Sequence, residues 1–65
     1  MRIFSDKLYQ NNKPYGYMEL VCKLVEYRID VYFFGVSVPV ETVKTDNYNY
    51  ALNKYTAIMN KYNNK

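Results

Sequence analysis

The stretch VYFFGVSV, Val31 to Val38, decides the reading of this chain. In a strand, successive side chains point to opposite faces. One face would then carry Val31 and Phe33, and the other Tyr32, Phe34, Val36 and Val38. Both rows are apolar. A strand over 29–38, ended by Pro39, is therefore expected to need cover on two sides.

Upstream, YMELVCKLVEY alternates from Tyr17 onward. Met18, Leu20, Cys22 and Leu24 form one apolar row, and Tyr17, Glu19, Val21, Lys23 and Val25 form a mixed one. This period of two predicts a strand over about 17–25. A turn near Glu26–Arg28 would join it to the next strand. A three-residue loop sets Cys22 opposite Tyr32 and Leu20 opposite Phe34. A two-residue loop sets Leu24 opposite Val31. The first joins the two most apolar rows and is preferred, although either leaves apolar groups on both faces. A one-residue slip would turn every side chain over.

RIFSDKLY predicts an earlier strand over about 2–9, and QNNKPYG breaks it with turn-forming residues. VETVK adds a brief fourth strand over about 41–44. From Asp46 the period becomes helical. Tyr48, Ala51, Leu52, Tyr55, Ile58, Met59 and Tyr62 follow three-four spacing, which predicts a helix over about 46–62 capped by Thr45 or Asp46. The expectation is one α+β domain spanning residues 1–65: three to four antiparallel strands, then one amphipathic helix.

One helix of about 16 residues is roughly 24 Å long and about 10 Å wide. It covers one face of a small sheet. The other face would leave Val21, Val25, Ile29, Val31 and Phe33 exposed in a monomer. Covering three or four such side chains is worth several kcal/mol, at about 1.5–3 kcal/mol each. A second copy is the simplest cover, so a homodimer or higher oligomer is expected.

The chain has one cysteine and no histidine, so an internal disulfide is excluded and the commonest metal ligand is missing. Cys22, on an apolar row, reads as a small core residue. No cofactor, metal or membrane partner is expected, since the longest apolar run is far below the roughly 20 residues that span a bilayer. A lone cysteine without a visible secretory signal suits the cytoplasm. Nine tyrosines and eight asparagines suit an AT-rich coding sequence, and hence a bacterial host cell, its phage or a mobile element.

Residues 1–43 carry five basic and five acidic side chains, while residues 44–65 carry Lys44, Lys54, Lys61 and Lys65 against Asp46, so the whole net charge of +3 lies in the last third. Lys54 and Lys61 on the polar helix face suit phosphate contact, beside the plainer reading of a solvated face. Tyr17, Lys23, Tyr27 and Arg28 interleave aromatics with cations, the pattern that stacks single-stranded bases on an open sheet. Tyrosine and arginine are equally the anchors of protein interfaces. Asp30 with Glu26 or Glu19 is the remaining acidic set. It suits a metal-dependent nickase only if the carboxylates converge on a hard cation, and solvated charges are the ordinary alternative.

The strands from MRIFSDKLY through YGYMELVCKLVEYRIDVYFFGVSV, followed by the helix TDNYNYALNKYTAIMNKYNN, resemble the positive-cofactor-four-like fold of whirly-type and coactivator single-stranded-DNA-binding proteins. That resemblance implies a curved sheet, a dimer and binding of melted DNA. In size and composition the chain is also similar to small phage or prophage anti-CRISPR proteins that inhibit the type II effector nuclease, which implies a host defence nuclease as partner. The leading expectation is a small non-enzymatic oligomer that binds nucleic acid or a nucleic-acid-handling complex. The alternative is a protein-interaction inhibitor without DNA binding.

Overall fold

The computed structural model describes residues 1–63. Four strands follow one another, β1 (Arg2–Gln10), β2 (Lys13–Lys23), β3 (Glu26–Phe33) and β4 (Glu41–Thr45), and then one helix, α1 (Tyr48–Tyr62). The strands lie in the order β1-β2-β3-β4, each antiparallel to its neighbour. The expected α+β architecture is present, and the brief fourth strand is a full member of the sheet over Glu41–Thr45.

The two hairpins solve the turn problem differently. Asn11 and Asn12 both take left-handed φ, 52° and 65°. Two such central residues make the turn whose twist matches antiparallel strands, and asparagine tolerates them well. Between β2 and β3 the connection is Leu24–Val25, with Lys23 paired to Glu26 across it. Leu24 sits at φ 58°. A leucine there costs about 1–2 kcal/mol, because its Cβ crowds the following carbonyl.

That turn corrects the expected register. The loop is not at 26–28: Cys22 faces Tyr27, Leu20 faces Ile29 and Met18 faces Val31. Leu-Val carries no turn chemistry, so the position was not visible from residue types. Tertiary packing decides it. This register places Met18, Leu20, Ile29 and Val31 together under the helix, each at most 1% exposed. At about 1.5–3 kcal/mol per side chain, their burial outweighs the strain at Leu24 several times over.

The proposed oligomer surface is corrected with it. Ile29 and Val31 are core, packed with Leu8 from β1 and with Ala51, Tyr55 and Ile58 from α1. Phe33 is half-buried under its own chain, its ring 5.3 Å from Tyr15 and 5.9 Å from Tyr62. Val21 lies half-buried on the outer face, and Val25 is exposed at the hairpin tip. β3 also stops at Phe33 rather than running to residue 38. Gly35, at φ 85°, turns the chain, and the Val36 N–H donates to the Phe33 carbonyl at 3.1 Å. Phe34, Val36, Val38 and Val40 therefore occupy an exposed connection. The outer sheet face carries mainly polar residues.

The helix begins at Tyr48, two residues after the expected start, and its cap is Asn47 rather than Thr45 or Asp46. The Asn47 Oδ1 accepts from the Tyr50 N–H at 2.8 Å, and Thr45 Oγ1 in turn accepts from the Asn47 N–H at 3.1 Å. At the other end the Tyr15 hydroxyl donates to the Tyr62 carbonyl, and the Tyr62 hydroxyl donates to Glu41. Both ends of the helix are thus tied to the sheet.

Candidate interaction surface

Period-two alternation, once the register is set, puts Lys7, Tyr17, Glu19, Val21, Arg28, Asp30 and Tyr32 on the sheet face away from the helix. Tyr17 and Tyr32 are direct cross-strand partners. Their rings stack at 4.9 Å with 17° between planes, and Phe34 tilts against Tyr17 at 6.4 Å. Lys7 pairs with Tyr17 from the β1 side. This aromatic patch lies at the end of the sheet from which the Phe34–Val40 connection leaves. Burial, and then the nearby carboxylates of Asp30 and Glu19, push the Tyr32 phenol above its usual value.

Beyond the aromatics the face is a lattice of opposed charges. Asp30, only 2% exposed, accepts from Arg28 Nε at 2.8 Å and from Thr42 Oγ1 at 2.9 Å. Arg2 lies 3.6 Å from Glu19, and Lys23 faces Glu26 across the hairpin tip. The solvent-exposed Arg2–Glu19 pair adds little stability. Together these opposed groups cancel charge on the face.

The residues proposed for nucleic acid do not form one surface. Tyr17, Lys23 and Arg28 share the outer face. Tyr27 turns to the helix side, its ring 5.3 Å from Tyr48. Lys54 and Lys61 belong to the helix, and Lys61 is engaged with Glu41 at 3.1 Å. The acidic set separates as well. Glu19 and Asp30 are cross-strand partners, while Glu26 sits at the hairpin tip beside Lys23. Among the described residues, no three acidic, cysteine or histidine side chains are placed to hold a metal ion.

Tyr32, Phe34 and Lys7 were absent from the sequence-derived site. Their joint position follows from the β1–β2 and β2–β3 registers, which their own residue types do not reveal. The exposed apolar groups are likewise products of chain direction. Leu24 and Val25 are 92% and 80% exposed at one end, while Phe34, Val36, Val38 and Val40 are 41–62% exposed at the other. No helix among the described residues is long and apolar enough to cross a membrane. Comparison with protein-family models, curated proteins and solved structures finds no match to this chain.

Proposed function

We propose that this chain is a non-enzymatic protein-binding module whose recognition surface is the β3–β4 connection and the adjoining Tyr17–Tyr32 pair. The observation that carries the reading is the exposure of Phe34, Val36, Val38 and Val40 within seven consecutive residues. Contiguous exposed apolar surface marks association sites, and aromatic residues beside it are the usual energetic anchors. A row of valines has nothing to offer a phosphate backbone. Arg28 and Lys61, two of the cations expected at a nucleic-acid surface, are paired with carboxylates, and Lys23 and Lys54 lie on different elements. A nucleic-acid-handling enzyme that this chain would inhibit belongs to the class of partners this reading describes.

The test is capture from a bacterial lysate with crosslinking and mass spectrometry, wild type against Val36→Asp/Val38→Asp. Both positions are exposed, so the variant's melting temperature should match wild type. A protein retained by wild type and lost by the variant supports the assignment. Equal capture by both refutes it. A second copy seated on the loop would register as concentration-dependent mass in light scattering, abolished by the same pair of substitutions.

One observation favours a nucleic-acid partner instead: the stacked Tyr17–Tyr32 platform with Lys7 beside it. That reading requires binding of labelled single-stranded DNA that weakens steeply with salt and disappears in Tyr32→Ala.

A further inference from the structure

The free edge of the sheet at β1 forms one wall of a groove whose other wall is the helix. Phe4, Asp6, Leu52, Tyr55, Thr56 and Met59 line about 420 Å³. Phe4 and Asp6 are two residues apart on the strand, so both point to the helix side. Phe4 is 43% exposed, its ring 5.8 Å from that of Tyr55. Asp6 accepts from the Tyr55 hydroxyl at 2.7 Å through Oδ2, and its Oδ1 takes no hydrogen bond among the described residues. Among the described residues, β1 has no partner strand on its outer side, and only its far end is occupied there, where Asn63 Oδ1 accepts from the Tyr9 N–H at 2.7 Å.

We infer that this groove takes an extended peptide, added as a fifth strand along Phe4–Leu8, with a lysine or arginine opposite Asp6 and apolar residues two positions to either side. Strand addition to an open edge draws affinity from main-chain hydrogen bonds and specificity from pockets that receive alternate side chains. Both parts are present here. The β1–β2 register is irregular at Arg2/Phe4 and again at Leu8/Tyr9, and the segment between them pairs regularly, which makes it the usable template. The apolar wall of Phe4, Leu52 and Met59 receives an aliphatic side chain. The carboxylate of Asp6 selects the charge of its neighbour.

The same carboxylate argues against another copy of this chain as the occupant. Two β1 edges pairing about Asp6 would set the carboxylates of both copies face to face, the inward-charge device that keeps sheet edges from self-association. A nucleic acid is disfavoured for the same reason. A basic peptide turns that charge into an attraction. The inference concerns a different edge of the molecule from the β3–β4 surface, and its test needs no knowledge of that surface's partner.

The probe is fluorescein-labelled Thr-Leu-Thr-Lys-Thr-Leu-Thr, whose symmetry allows either strand direction. Anisotropy should show saturable binding, weakened about tenfold or more when glutamate replaces the lysine. Proline in place of the threonines flanking the lysine should abolish it, by removing main-chain donors. Amide resonances of Phe4–Leu8 and side-chain resonances of Leu52 and Met59 should shift on titration. Asp6→Asn keeps an acceptor for Tyr55 and should bind the lysine peptide more weakly. Asp6→Lys should prefer the glutamate peptide, a reversal that a folding defect cannot produce. Failure of the lysine peptide to bind at millimolar concentration, equal binding of the two peptides to wild type, or shifts confined elsewhere would each overturn the inference.

Discussion

The Tyr62 hydroxyl donates to Glu41 Oε1 at 2.7 Å, joining the last residue of the helix to the first residue of β4. Lys61 Nζ reaches the same oxygen at 3.1 Å. The hydrogen bond from Tyr62, with help from Lys61 and against the opposing effect of burial, holds the Glu41 carboxyl below its ordinary value. The charged partner, together with burial, pushes the Tyr62 phenol up to about 12.

These shifts set two pH limits of opposite sense. Glu41 has a lowered folded value, so its contribution is complete above the unfolded value of 4.5 and is lost as pH falls below it. Tyr62 has a raised folded value, so its contribution is complete below 10 and is lost as pH rises toward 12. Melting temperature followed against pH should fall in both regions. Glu41→Gln should flatten the acid limb, and Tyr62→Phe should cost about 1 kcal/mol at neutral pH. An acid limb unchanged in Glu41→Gln would show that other carboxylates control it.

The strained turn predicts a stabilising substitution. Leu24 holds φ 58° with its side chain almost wholly in solvent. Leu24→Gly should remove the strain at no packing cost and raise stability by about 0.5–1 kcal/mol, after the greater chain entropy of glycine is set against it. Urea denaturation measures this directly. A loss of stability would mean that the leucine makes contacts this conformation does not show.

Gly16 predicts the reverse. A Cβ there would fall on the backbone carbonyl oxygen of Tyr32 and lie 3.2 Å from the Phe33 Cα. Backbone in a paired strand cannot yield as a side-chain tip can, so Gly16→Ala should separate β2 from β3 locally. The expected cost exceeds about 2 kcal/mol, in the range of overpacked core positions. A variant with wild-type denaturation midpoint would refute the close approach.

Asp30 is a structural carboxylate. Buried and held by Arg28 and Thr42, it should cost about 1–3 kcal/mol when replaced by alanine, since a charge-assisted pair is broken and Thr42 loses its acceptor. Arg2→Ala, which breaks only a solvent-exposed pair with Glu19, should shift stability by less than about 1 kcal/mol. Comparing the two midpoints separates the buried pair from the exposed one. Similar costs for both would remove the distinction drawn here.

Much of the architecture was legible because periodicity survives without knowledge of partners. Met18 and Leu20 alternate with Tyr17 and Glu19. Ala51, Tyr55 and Ile58 recur at the spacing of one helical face. Those patterns are local, and they settle which elements form and which rows are apolar. Which rows meet was not local. Leu24 and Val25 look like strand residues, and only the collective burial of Met18, Leu20, Ile29 and Val31 under the helix forces a turn there. Moving that turn carried Ile29, Val31 and Phe33 inward, set Tyr17 upon Tyr32 outside, and left Phe34 to Val40 in solvent. Charge behaved likewise: composition yields the excess of +3, whereas the ion pairs of Arg2, Arg28 and Lys61 depend on distances that only the folded chain creates.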